Sequence, residues 1–206
     1  LAHEIKNPMQ VIAGYGELVL NEPLSDELKS RISMMRDAAL GIKGLTCALM
    51  EVARPKPLNI TSFFPEQPLE KAADFLLKMG ETKYFKVIKE YDSATHAIQG
   101  DVNQLEQAFM NLIINAAHAI KNAEKKIIRL TTVYDPEKAL MHVSVEDTGC
   151  GMAQDVMDKI FDPFFSTKEP GAGSGLGLSV VKQIIERHGG SVSVTSQPGT
   201  GAGTGS

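Results

Sequence analysis

The chain has 206 residues, of which 43% are hydrophobic and 22% charged, with a formal net charge of −4. That length accommodates one or two domains, and the apolar fraction is far above the range of disordered chains. A small negative charge supplies none of the basic field that nucleic-acid binders use, so no DNA or RNA partner is expected. The two cysteines, Cys47 and Cys150, are far apart, with no further ligand at metal spacing. This fits neither a disulfide framework nor a zinc site and points to a reducing cytoplasm. No stretch of eighteen apolar residues and no leader pattern occurs. A soluble piece with no membrane contact of its own is therefore expected, compatible with a parent anchored upstream of Leu1.

The first element carries LAHEIKNP, a histidine followed directly by a carboxylate. Ile5, Ile12 and Val19 recur every seven residues, with Met9 alongside, and predict an amphipathic helix. With Ile5 and Ile12 facing inward, His3 falls on the outermost face, and Asn7 lies one helical turn further along it. Pro8 removes the helical bond to the carbonyl of Glu4 at a cost on the order of 3 kcal/mol. Asn21-Glu22-Pro23 breaks the helix. A second one follows from Ser25 to Ala53, where Leu28, Ile32, Met35, Ala39, Ile42 and Leu49 alternate at spacings of four and three. Two such seams cannot be buried by one hairpin, so pairing with a second copy into a four-helix bundle is expected. The second arm also outruns the first by roughly two turns, near 10 Å. This reads as a fragment of a longer chain.

Pro55, Pro57, Pro65 and Pro68 mark a joint, after which helical and strand patterns alternate. Asp101 is a candidate N-cap, with Gln104 three residues on in a capping-box arrangement. The helix it opens has an apolar face of Leu105, Phe109, Leu112 and Ala116. Opposite runs a polar stripe of Gln104, Gln107, Asn111, Asn115, His118 and Asn122. Asparagines at i and i+4 in so apolar a helix need partners, and amide oxygens suit a hard cation such as Mg²⁺. A strand through Met141, Val143 and Val145 then runs into Asp147-Thr-Gly149-Cys-Gly151. There, spaced glycines let backbone approach a ligand whose donor the carboxylate can accept, and the exocyclic amine of adenine is suitable. Gly171, Gly173, Gly175 and Gly177 open an amphipathic helix through Val180, Val181, Ile184 and Ile185, an arrangement suited to phosphate. Phe164 and Phe165 read as core or lid anchors.

Taken in order, H-E-I-K-N-P, N-L-I-I-N-A, D-T-G-C-G, F-D-P-F-F-S-T-K and G-S-G-L-G-L resemble the H, N, G1, F and G2 boxes of bacterial two-component sensor histidine kinases. The short segment from Lys168 to Gly175 and the N-A-A-H-A-I ending are similar to the nitrogen-regulation and sporulation type. The resemblance implies an α+β protein. A helical hairpin, half of a dimeric four-helix bundle (1–54), would be followed by an α/β-sandwich ATP-binding domain of the histidine kinase, gyrase and heat-shock chaperone type (55–206). It implies that His3 is the phospho-acceptor, Glu4 its general base, and Asn7 a residue that assists partner dephosphorylation. Asn115 would hold Mg²⁺, with Asn111 and His118 nearby, and Asp147 would read adenine between Gly149 and Gly151. Thr167, Lys168, Gly173, Ser174, Gly175, Leu176 and Gly177 would complete the ATP site. The implied partners are a second copy and the receiver domain of a response regulator. The tail QPGTGAGTGS stops where the family continues into an apolar final strand, so that strand is expected to be missing. An ATPase of the same fold without histidine phosphorylation, and a degenerate kinase serving as a dimeric scaffold, are the alternatives.

Overall fold

A computed structural model describes residues 2–53, 57–78, 85–92, 96–168, 175–199 and 201–205, with some side chains of the two N-terminal helices outside the description. The side chains of His3, Glu4, Ile5 and Leu49, and all of Gly171, Gly173 and Ser174, lie outside the described residues. The backbone forms two compact units. One comprises Leu1–Pro57 with Pro163–Leu176, and the other comprises Leu58–Asp162 with Gly177–Ser206. Within the first unit the Phe164 N–H donates to the Gly175 carbonyl at 3.0 Å.

The first unit is a helical hairpin of α1 (Ala2–Leu20) and α2 (Asp26–Ala53). The Ser25 hydroxyl accepts the Leu28 N–H, and Asp26 and Glu27 occupy the first turn of α2, where the helix dipole favours acids. Small residues let the arms approach. Ala13 and Ala39 are buried, and a β-carbon on Gly16 would lie 3.1 Å from Cβ of Arg36. The expected apolar seam therefore divides. Ala39 is buried and Ile32 partly covered, whereas Leu28, Met35 and Ile42 remain 48%, 64% and 44% exposed. In α1, Ala13 and not its neighbour Ile12 takes the buried position.

The second unit begins with β1 (Thr61–Phe63), which pairs antiparallel with β3 (Ile98–Gly100). Between them lie α3 (Glu66–Lys78) and β2 (Lys86–Tyr91). Then come α4 (Val102–Ala119), β4 (Ile127–Asp135), β5 (Leu140–Asp147), the short α5 (Gln154–Met157), α6 (Gly177–Arg187), β6 (Ser193–Gln197) and β7 (Gly201–Gly205). The five-stranded sheet has the order β2-β4-β5-β7-β6 and is antiparallel except for β2 beside β4. Alternation sorts its faces. Ile128, Leu130 and Thr132 of β4 and Val143 and Val145 of β5 are buried, while Arg129 and Glu146 point the other way and join Glu90 in surface ion pairs. Over the buried face lies a helical layer with α4 between α3 and α6. Its core comes from Leu69, Ala72, Leu76, Leu105, Phe109, Leu112, Ile113, Val181 and Ile184. Each large side chain there contributes about 1.5–3 kcal/mol on burial.

One expectation is corrected. The last strand, expected to be missing, is present: Gly201–Gly205 forms β7 between β5 and β6. Backbone pairing needs no apolar side chain, so a Gly-Ala-Gly-Thr-Gly run with two neighbours to bond can complete the sheet.

Candidate nucleotide site

The second half of α4 is the platform. Asp101 caps the helix by accepting the N–H groups of Asn103 and Gln104 at 3.1 and 3.2 Å, and it accepts that of Asn59 at 3.0 Å. The capping box does not close as expected. The Gln104 side chain donates its amide to the Asp101 carboxylate at 3.3 Å, and does not accept the Asp101 backbone N–H. Of the polar stripe, Asn111 and Asn115 are partly buried, while Gln107, His118 and Asn122 are exposed. The Asn111 amide donates to the Gly177 carbonyl at 3.3 Å, and a β-carbon on Gly177 would lie 3.8 Å from Nδ2 of Asn115. The two asparagines and the start of α6 thus adjoin. Among the described residues the Asn115 amide makes no hydrogen bond, which leaves its oxygen available to a ligand.

Asp147 ends β5 and is braced on three sides. Its carboxylate accepts the Gly149 N–H at 2.8 Å and is bonded by the backbone N–H of Ala202 in β7. Burial raises its pKa above the usual carboxylate range, against the lowering effect of those two donors. Towards β4, the Thr148 hydroxyl accepts the Ile127 N–H at 3.0 Å and donates to the Lys125 carbonyl at 2.6 Å. Towards α4, a β-carbon on Gly149 would lie 2.6 Å from the carbonyl carbon of Ala119, so only glycine allows this approach. Ala119 is one helical turn beyond Asn115, and this contact brings the acid's turn to the asparagine platform. Towards the β6–β7 hairpin, the Ser196 hydroxyl accepts the Met152 N–H and donates to the Gly201 carbonyl, both at 2.8 Å. Gly151, at φ +66°, leaves no room for a β-carbon, which would lie 2.0 Å from the Gln197 oxygen. Gly201, at φ +91°, faces the Asp147 carbonyl with the same clearance.

Asn111, Asn115, Asp147, Gly149, Gly151 and Gly177 therefore belong to one unit, in which Gly149 and Gly177 lie against α4 and His118 is exposed on the same helix. Thr167, Lys168, Gly175 and Leu176 belong to the other unit, and Gly173 and Ser174 are outside the described residues. In that unit Phe164 adopts φ +70°, which is rare for a bulky residue, and Gly175 packs its α-carbon against the Phe164 backbone. Burial lowers the pKa of the Lys168 ammonium. Asn7 is exposed on α1. Sequence reasoning passed over Thr148, Ser196, Gly201 and Ala202. All four act on or through backbone groups, which side-chain spacing does not register.

A model of the histidine kinase-, DNA gyrase B- and HSP90-like ATPase family matches residues 100–204. The chain belongs to that family. The matched span contains the asparagine platform, the Asp147 turn and β7 up to Thr204. Over 203 residues, 98% of its length, the chain is 32% identical to the signal transduction histidine-protein kinase AtoS of Escherichia coli (strain K12), covering 32% of that protein. It is 33% identical over 210 residues, 97% of its length, to the sensory histidine kinase/phosphatase NtrB of Rhodobacter capsulatus, covering 58% of it. The chain thus spans less than two thirds of these relatives. Full-length ShkA, solved in complex with AMPPNP, matches all of this chain at TM-score 0.77 and 26% identity, over 43% of its own chain. The catalytic domain of histidine kinase ThkA matches 71% of this chain at TM-score 0.60 and 26% identity. The resemblance to sensor histidine kinase cores and the ATP-binding fold expected from the sequence are both borne out. Among the described residues, no helix is long and apolar enough to cross a membrane.

Proposed function

We propose that this chain is the core of a sensor histidine kinase, which transfers the γ-phosphoryl group of ATP to His3 and onward to an aspartate of a response-regulator receiver domain. The observation that carries it is the pairing of one sequence feature with one structural site. The chain has H-E-I-K-N-P on α1 and the braced, half-buried Asp147 turn beside Asn111 and Asn115. Similarity to histidine kinases along nearly the whole chain supports reading the two together.

In this reading Asp147 accepts the exocyclic amine of adenine, its orientation set by the N–H groups of Gly149 and Ala202. The amide oxygen of Asn115 holds Mg²⁺, which when bound neutralises phosphate charge. One ring nitrogen of His3 forms the bond to the γ-phosphorus as the bond from phosphorus to the bridging oxygen breaks and ADP departs. Glu4 takes the proton from the other ring nitrogen. The rest is positioning. Asn7, one turn on, orients the water that dephosphorylates the receiver's aspartate. A second copy covers Leu28, Met35 and Ile42, and the reaction belongs on the reducing, ATP-containing side of any membrane to which a parent is anchored.

The test is incubation with γ-labelled ATP and Mg²⁺. Label should appear on His3, be lost in acid, survive base, and vanish in His3→Ala and His3→Gln. Glu4→Ala should slow labelling by roughly 10²–10⁴-fold, the usual worth of a general base, whereas Asn7→Ala should leave it within a few-fold. Free phosphate without labelled protein would instead identify a plain ATPase, and neither product would identify a scaffold.

A further inference from the structure

His188 stands one residue past α6, and both of its ring nitrogens are engaged. Nε2 lies 2.9 Å from the backbone nitrogen of Asp101, and Nδ1 lies 2.7 Å from the carbonyl oxygen of Ile184. A backbone N–H can only donate, so Nε2 must present its lone pair. A carbonyl can only accept, so Nδ1 carries the proton. The two bonds thus hold the ring in one tautomer. Gly100 makes the space, since a β-carbon there would lie 2.8 Å from Cδ2 and 3.2 Å from Nε2 of the imidazole. Beside it, Arg187 donates to the Gln104 side-chain oxygen at 3.2 Å.

These bonds tie the C-terminal end of α6 to the N-terminal end of α4. At the opposite end of α6, Asn111 donates to the Gly177 carbonyl. Between the two attachments, Val180, Val181, Ile184 and Ile185 are buried. Apolar packing is non-directional and tolerates small sliding, while hydrogen bonds set a register. The Asp101 N–H has no local substitute. In a closed capping box the Gln104 side chain would take it, but here that side chain is committed to the Asp101 carboxylate and to Arg187.

We propose that His188 is a positioning residue for nucleotide binding: its acceptor bond to Asp101 fixes how far α6 advances along α4, and hence where Gly177 meets Asn111 and Asn115. The role rests on the functional reading above.

Three variants of the full chain test it. His188→Asn keeps a short amide that can donate to Ile184 but falls short of Asp101. His188→Gln keeps an acceptor at similar reach, and Gly100→Ala keeps the histidine but places a methyl group where the ring lies. Hydrogen exchange without nucleotide is followed at the first turns of α4 and α6, and MgATP affinity is measured by calorimetry. His188→Asn and Gly100→Ala should accelerate exchange at both turns and weaken MgATP binding roughly two- to thirtyfold, the range over which non-contacting residues modulate a site. His188→Gln should recover most of both. If the wild type binds MgATP and His188→Asn binds it equally well, or if exchange rises only in α4, the histidine is a local cap and the positioning role is wrong. If His188→Asn does not fold, Gly100→Ala carries the same comparison, and unchanged affinity there overturns the role as well. A wild type that binds no MgATP overturns the functional reading, and the positioning role falls with it.

Discussion

Asp147 carries its carboxylate where burial disfavours charge, and the raised pKa expresses that cost in the ligand-free fold. A carboxyl group whose pKa is higher folded than unfolded contributes stability below its unfolded value, about 3.9. That contribution is lost as pH rises through the folded value. At neutral pH the ionised side chain is thus a net burden on the empty domain and becomes useful when a donor meets it. Asp147→Asn should therefore gain stability relative to the wild type as pH is raised from 3.5 to 7 without nucleotide, read from denaturant unfolding at a series of pH values. It should also bind ATP roughly ten- to a hundredfold more weakly, since hydrogen bonds to charged groups are worth about 1.5–3 kcal/mol. A stability difference that moves the other way with pH would show that the Gly149 and Ala202 donors outweigh burial.

At the scale of the element, β7 does more than its composition promises. Its Ala202 N–H holds Asp147, its Gly201 carbonyl accepts from Ser196, and it pairs with β6 from Gly201 to Gly205 and with β5 from Ala202 to Gly205. The glycines are not equivalent. Gly201 has φ +91° and would bring a β-carbon to 2.0 Å from the Asp147 carbonyl, whereas a β-carbon on Gly203 meets nothing nearer than the Glu146 side chain at 3.4 Å. Gly201→Ala should destabilise the domain by more than about 1 kcal/mol, because the native backbone excludes it, and should weaken ATP binding by displacing the Asp147 turn. Gly203→Thr should stabilise by up to about 1 kcal/mol, the span of strand propensities. Thermal unfolding of both variants checks the pair. A Gly201→Ala protein with wild-type stability would mean that β7 is not held as described.

For the whole molecule the hairpin poses the question of what covers it. Leu28, Met35 and Ile42 are seven residues apart on one stripe of α2 and are largely open in a single copy. Burying such side chains is worth about 1.5–3 kcal/mol each, ample to drive association. Sedimentation equilibrium should find the wild type dimeric. Met35→Glu, which would place two like charges in the seam, should shift it to monomer while nucleotide affinity stays unchanged. A Met35→Glu chain that remains dimeric would locate the contact elsewhere.

Periodicity and local chemistry made much of this protein legible in advance. The spacing of Leu105, Phe109, Leu112 and Ala116 placed a buried helix face, Asp101 placed its start, and Asp147 with its two glycines placed the turn, because each signal lies within a few residues of chain. The heptad stripes gave each arm of the hairpin an apolar seam. They could not say which residues of each seam the hairpin itself would bury, and Ala13, Gly16 and Ala39 decided that by letting the arms approach. Only the tertiary structure turned the glycine-rich tail into a paired strand, gave the Asp101 N–H to His188 in place of Gln104, and set Gly151 and Gly201 against the carbonyls of Gln197 and Asp147. The reason is common to all of these. Backbone donors and acceptors are identical at every residue, so sequence carries no mark of which distant ones will meet, and close packing alone selects them.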